Sequence, residues 1–248
     1  MSRIMWTWKG VALFWLFMAL PIHAAEQVPN LLEPAELNKM IQRGDKVSLV
    51  NSASVLECMD CSIPGSLCIP AEESAAKVPK LLPNKADPLV FYCQSNRCYR
   101  SSEAAAMALK EGYQRVWVLH GGIPAWKQAG YRIVSPERIP RVPGEAIKPE
   151  RLARWLAEKR DVLILDVREE KLFGKDHLPG AMNIPLYRLQ DRYQEIPLNR
   201  PLIVVDDQGL QSFLVASYLV RKGIADVKRL FGGMEKWQAY IAHEKKKK

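Results

Sequence analysis

Residues 178–185 read LPGAMNIP and residues 63–70 read IPGSLCIP, the same phrase at an offset of 115 (178 − 63). Working outward, LEPAELNKMIQRGDKVSLVNS (32–52) echoes IKPERLARWLAEKRDVLILDV (147–167) at that offset. DPLVFYC (87–93) answers RPLIVVD (200–206) at 113, and HGGIPAW (120–126) answers FGGMEKW (231–237) at 111. An offset that shrinks by only four residues means one fold used twice, with small loop deletions in the second copy. The copies occupy residues 31–135 and 146–243. Between them PERIPRVPGE (136–145), with three prolines and a glycine, reads as a linker.

Each copy alternates β-rich apolar runs with helical patterns. VSLV, PLVFYC and RVWVL surround the helical SSEAAAMALKEG; DVLILDV, RPLIVV and DVKRLF surround SFLVASYLVRKG. Strand–helix–strand alternation predicts two tandem α/β domains, each a central parallel sheet with helices on both faces. Ligands of such sheets bind beyond the carboxyl ends of strands, where Cys93 ends the run FYC.

A 248-residue chain, 48% hydrophobic and 25% charged, is globular in composition and long enough for two such cores. Its first 24 residues stand apart. Arg3 and Lys9 flank the start of the wholly apolar VALFWLFMAL (11–20), and small residues follow to Ala24. This is the order of a secretory signal peptide, cleaved near Ala24, with an uncleaved membrane anchor as the alternative. The expected location is the periplasm or the exterior. The net charge of +9 falls to +7 without Arg3 and Lys9, and four more charges belong to Lys245–Lys248. The folded body is thus only mildly basic, which argues against a nucleic-acid partner and for a membrane contact only through the leader.

DVRE (166–169), HLPGAMNIP (177–185), the unit strand–Cys–loop–Arg-Ser–helix and GGxxxW together resemble the rhodanese family, in tandem and over nearly the whole mature chain. The resemblance implies an α/β domain whose cysteine carries sulfur as a persulfide, moving it from a donor such as thiosulfate to a thiophilic acceptor. It implies no cofactor, and the cysteine spacings suggest no metal or haem.

The chemistry falls on CQSNRCYRS (93–101). Cys93 is the candidate nucleophile: loop N–H groups and the start of the following helix would stabilise its thiolate. Arg100 is the candidate anion binder, its planar fork suited to an oxyanion. Gln94, Ser95, Asn96, Arg97, Tyr99 and Ser101 are candidate substrate contacts, and His120 joins them because it precedes the turn Gly121-Gly122. The spacing Cys-x6-Arg is longer than the family's usual Cys-x4-Arg, or the Cys-x5-Arg of its phosphatase-like members, so the loop resembles an extended, two-cysteine variant. Cys98 is either a resolving thiol for Cys93 or a space-filling residue.

The second copy puts Asp206 at the place of Cys93 and Gln211 at the place of Arg100, and it has no cysteine at all. It is expected to be silent, its carboxylate repelling anions. It keeps the family's Asp166-Val167-Arg168 and His177, which the first copy replaces with Asn51-Ser52-Ala53 and Ser62. Trp126 and Trp237 read as core residues. Cys58-Met-Asp-Cys61 suggests a local disulfide, and Cys68 a small buried hydrophobe.

Three functions follow. The first is an exported sulfurtransferase acting on a small sulfur-containing anion, with a periplasmic thiol reductant or a sulfur-acceptor protein as partner. The second is thiol–disulfide or oxyanion redox chemistry through Cys93 and Cys98. The third is a non-catalytic module that binds sulfur or a partner.

Overall fold

The computed structural model describes residues 28–95, 99–142 and 144–247. The leader therefore lies outside the described residues, as do Asn96, Arg97 and Cys98.

The first repeat runs β1 (Asn30–Leu32), α1 (Pro34–Gln42), β2 (Ser48–Asn51), α2 (Val55–Asp60), β3 (Leu67–Cys68), α3 (Ala71–Leu81), β4 (Leu89–Tyr92), α4 (Arg100–Lys110), β5 (Val116–Leu119) and α5 (Gly122–Gln128). The second runs β6 (Ala146–Ile147), α6 (Pro149–Ala157), β7 (Leu163–Asp166), α7 (Glu170–Phe173), β8 (Met182–Asn183), α8 (Leu189–Arg192), β9 (Leu202–Val205), α9 (Ser212–Arg221), β10 (Val227–Leu230) and α10 (Gly233–Lys247). The strand orders are β1-β5-β4-β2-β3 and β6-β10-β9-β7-β8, and every ladder pair is parallel. These are the two tandem α/β domains expected from the repeat.

Alternation along the central strands explains the layers. In β4, Leu89 and Phe91 face α3 and α4 together with Val78, Ala104, Ala105 and Ala108. Val90 and Tyr92 face the other side with Leu37 of α1 and with Ile123 and Trp126 of α5. All four strand residues are buried, as a strand covered on both faces requires. In the second domain Ile203 and Val205 pack with α6 and Met234, while Leu202 and Val204 pack with α9.

The domains are joined by more than the linker. Leu56 of α2 and Ile139 of the linker are buried within the second domain's core cluster. Arg141 pairs with Asp60 at 2.5 Å, and Ser217 Oγ accepts the Val142 N–H at 3.1 Å. Proline thus limits the linker's conformations while the Ile139 side chain docks it onto the second domain.

Candidate active site

The central strands β4 and β9 deliver Cys93 and Asp206 to equivalent places, and each is followed by a loop and a helix that starts at Arg100 or Ser212. The second domain shows what this frame does. Asp206 Oδ1 accepts the N–H of Gly209 at 2.8 Å, and Oδ2 accepts those of Gln211 at 2.7 Å and Ser212 at 3.0 Å. Loop and helix start thus converge as an anion cradle. The Asp206 carboxylate is itself the occupant of this cradle. Burial raises its pKa above that of an ordinary aspartate, opposed by the N–H donors.

The strand-end loop is held from beneath by the paired glycines. Gly122 has φ +57°, and a Cβ there would lie 2.5 Å from the Cys93 carbonyl oxygen, which accepts the Ile123 N–H at 3.0 Å. Gly233 approaches the Asp206 carbonyl in the same way, at 2.4 Å for its would-be Cβ. Only glycine allows this contact at this φ.

Cys93 is buried, 1% exposed, and disulfide-bonded. Gln94 and Ser95, next in the chain, line a cleft of about 390 Å3 between the domains. Tyr99, Arg100, Glu57 and Glu72 line it from the first domain; Arg168, Glu169, Leu172, Asp206, Leu210 and Gln211 do so from the second. Tyr99 donates its hydroxyl to Glu169 at 2.6 Å across the cleft. Burial, then that bond, raises the Tyr99 pKa, and burial also pushes the Glu72 carboxyl up.

Arg100 enters this cleft already partnered. Its Nη2 lies 3.3 Å and 3.2 Å from the two oxygens of Glu57, a buried carboxylate of α2. Burial would raise the Glu57 pKa, but Arg100, Gln211 and Ser54 outweigh it and hold the group below the usual carboxylate range. Sequence reasoning missed Glu57. Its signal was Ser54-x-x-Glu57, a capping box in which Ser54 caps α2 and Glu57 accepts the Ser54 N–H at 3.0 Å.

Other site expectations fare differently. His120 does not line the cleft; it is exposed and pairs with Glu33 at 2.7 Å, because the glycine turn presents its backbone, not its preceding side chain, to the loop. Ser101 is buried in the first turn of α4. The expected Cys58–Cys61 bond is replaced by Cys58–Cys68, so Cys68 is no simple hydrophobe. An α2 helix running from Val55 to Asp60 faces Cys58 towards β3. Cys61 is free, and burial raises its thiol pKa. Among the described residues no group of His, Cys, Asp and Glu is placed to hold a metal ion.

The frame residues lost from the first copy are substituted rather than missing. In the second, Asp166 Oδ1 accepts the Arg168 N–H at 3.0 Å and grips the Arg168 guanidinium, whose Nη2 reaches the Asp176 carbonyl at 2.7 Å. In the first, Asn51 Oδ1 accepts the Ala53 N–H at 3.2 Å, and its Nδ2 donates to Ser62 Oγ at 3.0 Å. His177 has a local role, with Nδ1 3.0 Å from the Phe173 carbonyl and its ring stacked on Phe173.

The rhodanese-like domain family matches this chain twice, over residues 33–129 and 148–240, and the chain belongs to that family. Among curated relatives it is similar to thiosulfate sulfurtransferase GlpE of Coxiella burnetii, 33% identical over 90 residues, covering 36% of this chain and 84% of the relative. The Pseudomonas syringae GlpE is 36% identical over 98 residues, covering 40% and 91%. Among solved structures, a thiosulfate sulfurtransferase from Pseudomonas aeruginosa aligns at TM-score 0.40 with 22% identity, covering 82% of this chain but only 43% of that one. SseA of Escherichia coli aligns at TM-score 0.39 with 18% identity, covering 83% and 98%.

Proposed function

We propose that the chain is an exported rhodanese-type sulfurtransferase whose first domain carries sulfane sulfur on Cys93, while the second forms the far wall of its cleft. One observation carries this reading: the second domain's loop directs three N–H groups at the side chain that stands where Cys93 stands. In the first domain α4 starts at the equivalent place, and its positive end favours an anionic sulfur, thiolate or persulfide. The curated relatives' sulfurtransferase names support it.

Because Cys93 is disulfide-bonded, a thiol reductant must act first. The freed thiolate then attacks the outer sulfur of a donor R–S–SH. A new S–S bond forms on Cys93, the donor's S–S bond breaks, and its electron pair leaves with R–S−; a thiolate acceptor reverses these steps. Cys98 is the resolving thiol in this reading. The Cys58–Cys68 disulfide supports an oxidising compartment, in agreement with the leader. The same bonded state of Cys93 favours a second reading, dithiol–disulfide redox chemistry with Cys98.

Mass spectrometry separates them. The reduced protein is incubated with thiosulfate, a polysulfide or a mercapto-acid. A one-sulfur adduct on the Cys93 peptide, lost in Cys93→Ser, is the expected result. Only a Cys93 disulfide that cycles with reductant, and never an adduct, overturns sulfur transfer in favour of redox work.

A further inference from the structure

The loops of the two repeats end at equivalent residues, Arg100 and Gln211, and both side chains reach the same carboxylate. Arg100 Nη2 lies within 3.3 Å of both Glu57 oxygens, and Gln211 Nε2 donates to Oε1 at 3.0 Å. Ser54 adds its N–H at 3.0 Å and its hydroxyl at 2.8 Å to Oε2. The second domain has Leu172 at the equivalent position, so the repeated frame does not itself call for a carboxylate there.

This arrangement takes away the group expected to bind an anionic substrate. A guanidinium recognises an oxyanion by offering an unoccupied fork. Here a protein carboxylate, only 5% exposed, holds that arginine from inside. The other arginine lining the cleft, Arg168, is held by Asp166 at 2.7 Å and Asp176 at 3.5 Å. Against these two paired cations stand Glu57, Glu72, Glu169, Asp206 and Asp207. An incoming dianion would meet a negative wall with both described cleft cations committed elsewhere.

We propose that Glu57 determines which substrates are accepted: by filling the Arg100 fork it excludes dianions such as thiosulfate, so Cys93 takes sulfur from hydropersulfides, R–S–SH, that carry no net negative charge. The proposal rests on the sulfur-transfer reading, with the bond changes given there. The acidic wall acts through its field, so the preference weakens as salt rises.

The test uses a readout that needs no sulfur transfer. The reduced full-length protein is alkylated with uncharged iodoacetamide and with anionic iodoacetate, and rates at Cys93 are read by peptide mass spectrometry against an unstructured cysteine peptide. Iodoacetate is expected to be disfavoured at Cys93 by about tenfold beyond the peptide. Glu57→Gln should move the ratio towards the peptide's. It should also raise kcat/KM for thiosulfate relative to an uncharged hydropersulfide by about tenfold. Because Glu57 also caps α2, Glu169→Gln serves as a second variant that leaves the cap intact, and it should narrow the ratio too. Equal or preferred reaction with iodoacetate in the wild type overturns the proposal, as does absence of labelling by either reagent or a ratio unmoved by both variants. If no donor ever loads Cys93 while the labelling ratio behaves as stated, sulfur transfer fails and the charge rule stands.

Discussion

Cys68 and Asn183 stand at the same place in the two domains and perform the same task by different bonds. Asn183 Nδ2 donates at 2.9 Å to the carbonyls of Asp166 and Arg168, tying β8 to the turn after β7. Cys68 bonds Cys58, whose sulfur lies 3.8 Å and 3.7 Å from the equivalent carbonyls of Asn51 and Ala53. A covalent tie has replaced a pair of hydrogen bonds. The bridge closes a segment with a sequence separation of 10, for which the chain-entropy account gives about 2–3 kcal/mol. The double variant Cys58→Ser, Cys68→Ser should lose that much in denaturant unfolding and show a Tm insensitive to reductant contributed by this pair.

Gly122 should tolerate no side chain. With φ +57° and a would-be Cβ 2.5 Å from the Cys93 carbonyl oxygen, Gly122→Ala must shift the loop or the turn. A loss of roughly 1–3 kcal/mol is expected, together with a fall in the alkylation rate of reduced Cys93. Gly130→Ala is the control: its φ is also positive, +77°, but its Cβ meets nothing within 4 Å. It should destabilise the fold without changing that rate.

Asp206 should behave as an internal ligand. Asp206→Ser leaves the N–H groups of Gly209, Gln211 and Ser212 without their acceptor, at a cost of about 1–3 kcal/mol. Added sulfate or phosphate should recover part of the loss, seen as a Tm that rises with anion concentration in the variant and not in the wild type.

Glu57 fixes the sign of an acid response. Its folded pKa is depressed, because Arg100, Gln211 and Ser54 outweigh burial. The stability it contributes is therefore present above the unfolded glutamate value, about 4.3, and is lost as pH falls through the lower folded value. Unfolding measured from about pH 6 to about pH 2 should show a steeper acid loss in the wild type than in Glu57→Gln.

The repeat makes the architecture legible in the sequence alone. Two sets of buried four-residue strands joined by amphipathic helices leave little choice but parallel sheets covered on both faces. The comparison of Cys93 with Asp206 likewise located both loops. What stayed hidden depends on contacts between the copies. Glu57 reads locally as a helix cap, and nothing in its neighbourhood announces that Arg100, 43 residues away, and Gln211, 154 away, share it. The cysteine pairing failed for a related reason: proximity in sequence favoured Cys61, whereas the face of a one-and-a-half-turn helix decided for Cys68. His120 misled because its neighbouring glycines touch the loop through their backbone.

The meeting of Arg100 and Gln211 on one carboxylate has a consequence for how the duplication was used. Here the second domain's loop has become a neighbour's wall: Asp206, Asp207, Leu210 and Gln211 line the cleft opposite Arg100, and Gln211 holds the carboxylate that Arg100 holds. The chain is in effect an asymmetric dimer written as a single polypeptide, with the loop of the second half serving as part of the environment of the first. Selection on that second loop would then follow the substrate of a domain to which it does not belong.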